Sequence, residues 1–140
     1  MTRKREEDDT LGQMRQVFEA MGFLTYHTYD SRRCPPGFPD LWVIGFGKLL
    51  VLELKAGRNT TTTEQDRWLA ELRAAGIDAR VYHVSQWPSR NIVKELQAVK
   101  DTWRKQHRGE RHVRTQHVQP WKPESANVRA PARPAHASKS

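Results

Sequence analysis

In three segments of the chain, apolar residues recur every three or four positions, which is the spacing of one face of an α-helix. The first helix is predicted over residues 11–21. The second is predicted between Thr62, the expected N-cap, and Gly76, and Gln65 is placed to complete a capping box with Thr62. The third is predicted over about residues 89–104.

Other segments have the composition of β-strands, which are rich in apolar, aromatic and β-branched residues: 23–29, 41–44, 49–54 and 79–84. The glycine-containing segment 45–48 separates two of these runs and predicts a buried β-hairpin. Residues 30–38 are rich in Pro and Gly and predict a loop. The resulting order of elements predicts an α/β fold, with a small mixed sheet flanked by helices.

The periodicity ends near residue 105, which predicts a folded domain over residues 1–105 and a disordered basic tail over residues 106–140. The formal net charge is +8, and most of the excess lies after residue 100. A basic tail of this kind favours a polyanionic partner, which it would bind weakly through phosphate backbones. A purely solubilising extension is the alternative.

The composition also argues against a protein with intrachain disulfides and against a membrane-spanning protein. Cys34 is the single cysteine, so no intrachain disulfide forms, and a reducing cytoplasmic setting fits. There is no apolar run of the length that a signal peptide or a membrane span requires, so we expect no membrane partner.

Charged residues interrupt the predicted hairpin. Glu53 and Lys55 alternate onto the same face of its second strand, where a charge costs several kcal/mol or so unless it is paired or bound to a metal. If the turn is centred between Phe46 and Gly47, Asp40 lies opposite Glu53. The hairpin therefore predicts two adjacent carboxylates with an amine beside them.

This arrangement has two interpretations. Oxygen ligands favour Mg²⁺ or Mn²⁺, and an ion held by Asp40 and Glu53 would polarise a phosphodiester and lower the pKa of a bound water. Lys55 would then add positive charge near the phosphate. The same spacing is compatible with a structural ion pair, in which Lys55 bridges the two acids at a sheet edge.

Four motifs in a fixed order resemble the VRR-NUC family of PD-(D/E)XK nucleases, of phage and bacterial stand-alone type: Gly37-Phe38-Pro39-Asp40-Leu41, Leu52-Glu53-Leu54-Lys55-Ala56-Gly57, Thr62-Thr63-Glu64-Gln65 and Trp68-Leu69-x-x-Leu72-x-x-Ala75-Gly76. The resemblance covers about residues 7–96. It implies a restriction-endonuclease-like core and DNA cleavage that depends on Mg²⁺ or Mn²⁺. A eukaryotic DNA-repair nuclease is also similar to this family.

The resemblance implies a role for each matching residue. Asp40 and Glu53 would be metal ligands, together with the backbone carbonyl of Leu54. Lys55 would be the catalytic lysine, and Gln65 would be the helix glutamine near the active site, a role compatible with the capping box.

Family members also have an acidic residue early in the first helix. Glu7 fits this position best as a further metal ligand, although Glu6, Asp8 and Asp9 are its neighbours. A preference of helix N-termini for acids explains the same residues without a metal. The resemblance also implies DNA contacts from a polar stretch, and the expected contacts are His27, Ser31, Arg32, Arg33 and Arg58. For His27, Ser31, Arg32 and Arg33, taken singly, a solvated loop is the alternative.

We therefore expect a metal-dependent DNA endonuclease that selects branched DNA by structure, either a Holliday-junction resolvase-like enzyme or a flap nuclease. A symmetric junction favours a homodimer. The expected setting is the cytoplasm of a bacterium or of a phage-infected host cell, in DNA repair or recombination. The alternatives are a catalytically silent nucleic-acid-binding module of the same fold and a small α/β interaction protein.

Overall fold

The computed structural model of the protein describes residues 2–109. The chain divides into two units, Met1–Arg108 and Gly109–Ser140, and nearly all of the second, including most of the predicted tail, lies outside the described residues. The order of helices and strands agrees with the sequence prediction. The elements are α1 (Arg3–Ala20), β1 (Leu24–His27), β2 (Leu41–Gly45), β3 (Lys48–Lys55), α2 (Thr63–Ala74), β4 (Asp78–His83) and α3 (Asn91–Gln106), with 3₁₀ helices at Ser31–Arg33 and Val84–Ser89.

The strands form one sheet in the order β1-β2-β3-β4. The β1–β2 and β2–β3 pairs are antiparallel, and β4 is parallel to β3 after the crossover through α2. The prediction of a small mixed sheet flanked by helices is confirmed. Because β3 has a neighbour on each side, its near-continuous apolar sequence is that of an inner strand.

The register of the β2–β3 hairpin is the predicted one. Leu41 pairs with Leu52, and the pairing ends where Gly45 meets Lys48. The turn residues Phe46 and Gly47 have φ values of 50° and 73°, the left-handed conformation that tight hairpin turns require. Continued by one residue, this register places Asp40 opposite Glu53.

Alternation along β3 divides the core between the two faces of the sheet. On one face, apolar side chains of β2 and β3 pack against α1 and α3, in a cluster that includes Met14, Phe18, Leu50, Leu52, Leu54 and Leu96. On the other face, α2 covers a smaller cluster of Val51, Leu69 and Ala79. Glu53 and Lys55 share the side of β3 that α2 covers.

Two local features differ from the sequence prediction. Helix α1 begins at Arg3, well before the apolar stripe from which the helix was predicted. Its first turns are polar and are stabilised by pairs such as Lys4 with Asp8, whose Nζ and Oδ1 atoms are 2.9 Å apart. The 3₁₀ helix Val84–Ser89 was not predicted, and it places Trp87 in the core. None of the described helices is both long and apolar enough to cross a membrane.

Candidate active site

The loop that precedes β2 is fixed from two sides, and this fixes Asp40. The backbone N–H of Thr28 donates to the carbonyl of Asp40 (3.1 Å), and the Thr28 hydroxyl donates to the carbonyl of Pro39 (3.1 Å). On the other side, the ring of Phe38 stacks on Trp42 with centroids 5.4 Å apart and meets the edge of Trp68 at 5.1 Å. Asp40 is therefore held at the start of β2 by Thr28, which directly follows β1, and by an aromatic cluster.

Glu53 and Lys55 form an ion pair near the C-terminal end of β3. The Nζ atom of Lys55 lies 2.9 Å from Oε1 of Glu53, and Glu53 is only 2% exposed. The side-chain amide of Gln65 also donates to Oε1 of Glu53. The other oxygen of this carboxylate, Oε2, is buried and has no hydrogen-bond partner.

Gln65 reaches Glu53 because it lies in the first turn of α2. Its side-chain oxygen accepts from the backbone N–H of Thr62 (2.9 Å), and the hydroxyl of Thr62 accepts from the backbone N–H of Gln65 (3.3 Å). The predicted capping box is confirmed. The same amide therefore stabilises the helix start and contacts the buried carboxylate.

The two carboxyl groups are held in an environment that disfavours their charge. Burial raises the pKa of Asp40, against the opposing effect of the Leu54 backbone N–H, which donates to Oδ2 of Asp40 at 2.9 Å. Burial, followed by the neighbouring charge of Asp40, raises the pKa of Glu53 to about 7, although Lys55 opposes the shift. A cation between these groups would relieve both effects.

The donor set fits a hard divalent cation. Within residues 2–109, no three His, Cys, Asp or Glu side chains form a preformed metal cluster. Mg²⁺ is usually bound by one or two carboxylates and keeps several waters, so Asp40 and Glu53 match its needs without a third side chain. Oε2 of Glu53, which has no hydrogen-bond partner in the described structure, is the oxygen available to such a cation.

Glu7 approaches this centre from α1. Its Oε1 atom accepts from the backbone N–H of Ala56 at 2.8 Å, directly after Lys55, and it lines the same cavity as Asp40. One oxygen of Glu7 thus holds the end of β3. Of the neighbouring acids, Asp8 lines this cavity and pairs with Lys4, whereas Asp9 pairs with Arg5 at 4.0 Å and Glu6 is exposed.

The predicted DNA contacts do not all come together. His27 lines the cavity of about 350 Å³ beside Asp40. Arg32 and Arg33 are exposed and pair with Asp30 at 3.1 and 3.7 Å, and neither of them lines that cavity. Ser31 begins a 3₁₀ helix, and its side chain lies outside the described part of the structure. Arg58 is exposed in the turn after β3.

The structure adds cavity residues that the sequence analysis did not name: Lys4, Arg15, Thr28 and Tyr29. A signal for Lys4 existed, because residues three or four positions apart share a helix face, which places Lys4 beside Glu7 and Asp8. No comparable signal existed for Tyr29, which follows β1 in a loop.

The chain is similar to known nuclease sequences. The family model described as the VRR-NUC domain matches residues 4–86. Fanconi-associated nuclease 1 of Danio rerio is 35% identical over 68 residues, an alignment that covers 47% of this chain and 7% of that protein. The chain thus spans less than a tenth of this relative's length. No solved structure shows a significant match.

Proposed function

The chain belongs to the VRR-NUC domain family, a family of nuclease domains, and on that premise we propose that it is a metal-dependent DNA endonuclease that selects its substrate by structure. The supporting observation is the carboxylate of Glu53, which is buried with Oε2 unpartnered and has Lys55 beside it. A side chain of this kind is destabilising in a structural role, and it is expected where a cation is bound.

Each polar side chain of the site has a role in this proposal. Asp40 and Glu53 would hold Mg²⁺ or Mn²⁺, which when bound polarises a phosphodiester and lowers the pKa of water. Lys55 places its amine next to the carboxylates, where it neutralises charge that develops on the phosphate. Gln65 orients Glu53, and Glu7 fixes the backbone directly after Lys55.

A purely structural ion pair explains fewer of the observations. That interpretation assumed a sheet edge, but β3 is an inner strand. The pair of Lys55 with Glu53 does exist, yet it uses only Oε1 and leaves Oε2 buried and unpartnered. The remaining polar atoms of a buried ion pair also need partners, and no donor in the described structure contacts Oε2 of the ionised carboxylate.

The decisive experiment is a cleavage assay. Four-way junction, flap and linear duplex DNA are incubated with Mg²⁺ or Mn²⁺ and the wild-type protein, and we expect cleavage of a branched substrate. Lys55→Ala should lower the cleavage rate by about 100-fold or more, because it removes a positioned charge from the transition state. Asp40→Ala should also remove the increase in melting temperature that Mn²⁺ gives the wild type.

Lys48→Ala is the matched control, because Lys48 lies on the same strand and pairs with Asp78 at 2.7 Å, at the end away from the site. Its cleavage rate should stay within about twofold of wild type, since this partly buried ion pair contacts none of the site residues. If wild type cuts none of the substrates in either metal, the proposal fails. The homodimer remains a prediction, which sedimentation equilibrium tests.

A further inference from the structure

Two cavities meet at Asp40. The larger, of about 350 Å³, lies between α1 and β1, and the smaller, of about 230 Å³, lies under the loop before β2. Both are lined by the same residues at their junction: Lys4, Thr28, Tyr29 and Asp40. Asp40, the proposed catalytic carboxylate, therefore lies where these two cavities, together called the cleft, share their lining.

Tyr29 supplies an aromatic surface at this junction. Its side chain is 78% exposed, and its ring lies 3.8 Å from the ring of His27, centroid to centroid, at an angle of 46°. His27 lies on β1 and is partly buried, and its ring contacts one side of the tyrosine ring. An exposed ring that is supported on one side has its other side available to a planar ligand.

Lys4 supplies a positive charge at the same junction. Its side chain is 75% exposed and its amine lies 2.9 Å from Asp8. In a surface ion pair of this kind, another anion can easily replace the carboxylate as the partner of the lysine. Because Lys4 lines both cavities, it flanks the position that a phosphate would take beside Asp40.

We propose that this cleft binds an unpaired DNA strand, in which Tyr29 stacks on a base and Lys4 binds the backbone phosphate next to the scissile one. The inference rests on the proposed nuclease function and specifies its substrate class. Aromatic stacking with a basic residue along the backbone is the usual recognition of single strands. In an intact duplex both faces of each internal base are already stacked, so Tyr29 has no surface to contact.

The test for Tyr29 is a binding measurement that does not require cleavage. A duplex with a single-stranded extension containing 2-aminopurine is titrated with protein in EDTA, and again with Ca²⁺. Tyr29→Ala should weaken binding by about tenfold and reduce the quenching of 2-aminopurine, whereas Tyr29→Phe keeps the ring and should bind within about twofold of wild type. Tyr26→Ala is the matched control, since Tyr26 is an exposed tyrosine on β1 that lines neither cavity.

The test for Lys4 is the salt dependence of the same binding. Lys4→Gln should reduce the slope of log affinity against log salt by about 0.7, the value for one contact to a single-stranded phosphate. Arg5→Gln removes an equal charge from the next position of α1, outside both cavities, and should leave the slope unchanged.

The outcomes separate this inference from the nuclease proposal. The subsite is overturned if Tyr29→Ala binds the extended substrate as tightly as wild type does, or if it weakens binding of a blunt duplex to the same extent. Neither result affects the proposal that the wild type cleaves DNA. If binding depends on Tyr29 but Mn²⁺ never supports cleavage, the subsite is supported and the nuclease proposal fails.

Discussion

At the scale of single residues, the buried carboxylate of Glu53 carries most of the functional argument. It is 2% exposed and shares one oxygen between Lys55 and Gln65. The sequence predicted that the charge of Glu53 is paired or bound to a metal, because Glu53 interrupts an apolar strand. The unpartnered Oε2 depends on side-chain placement, which no pattern in the sequence could show.

Metal binding should depend on pH through Glu53. Its pKa is raised to about 7 from an ordinary value of 4.5, and a metal binds the deprotonated form, so binding below pH 7 must release a proton. We expect the affinity for Mn²⁺ to fall by up to about tenfold per pH unit below about pH 7 and to be constant above it. Calorimetry in two buffers of different ionisation enthalpy measures the released proton.

The metal-free protein should show the opposite sign in its stability. Between pH 4.5 and about 7 the folded state keeps a proton on Glu53 that the unfolded state has lost, so the contribution of Glu53 to the free energy of unfolding falls as pH rises. An affinity for Mn²⁺ that does not change across this range would contradict the assignment of Glu53 as a ligand.

The two contacts of Gln65 can be separated by mutation. Gln65→Ala and Thr62→Ala each remove part of the capping box and should each lower the free energy of unfolding by about 1 kcal/mol. Gln65→Ala also removes the amide from Glu53, so it alone should slow cleavage. Equal cleavage rates for the two variants, at equal stability by urea denaturation, would leave Gln65 with the capping role only.

At the scale of elements, the hairpin was predictable from the sequence, but the path of the loop before it was not. A tight turn at Phe46-Gly47 fixes the β2–β3 register locally, and this sets Asp40 against Glu53. The segment 30–38 was predicted as a loop, but its path depends on packing against α2, where Trp68 donates to the carbonyl of Pro36 at 3.1 Å. That contact joins residues far apart in the sequence.

Gly37 tests the importance of this packing. Its φ is +79°, and an added Cβ would lie 2.6 Å from the backbone nitrogen of Gln65. Gly37→Ala should lower the free energy of unfolding by about 2–5 kcal/mol, from left-handed strain and backbone overlap together, and should slow cleavage by moving Gln65 away from Glu53.

Gly76→Ala is the matched control for this variant. Gly76 has a similar φ of +82°, but an added Cβ would meet nothing within 4 Å. Its cost should be about 1–2 kcal/mol, from backbone strain alone, with cleavage unchanged. If the two variants are equally stable and equally active in urea denaturation and cleavage assays, the loop does not determine the site.

At the scale of the whole molecule, charge is concentrated toward the C-terminus. Residues 109–140 contain six Lys and Arg against two Glu. This segment lies outside the family match. We expect it to contribute a general attraction to phosphates, which is independent of base sequence.

The salt dependence of DNA binding tests this role of the tail. Replacing both Arg129 and Arg133 with Gln should reduce the slope of log affinity against log salt for duplex DNA by about 1.8, or 0.9 for each lost phosphate contact. Lys94→Gln, on the exposed side of α3, is the control and should leave the slope unchanged. An unchanged slope for the double variant would indicate a solubilising tail.

The sequence by itself determined the order of the main helices and strands, the hairpin register and the motif residues Asp40, Glu53, Lys55 and Gln65. These follow from periodicity, capping and turn chemistry, which act between residues close in the chain. Only the tertiary structure decided that Glu7 holds the end of β3 through Ala56, and that Lys4 and Tyr29 flank Asp40. Such contacts join distant segments, and their geometry is set by how α1 packs on the sheet, which local patterns do not encode.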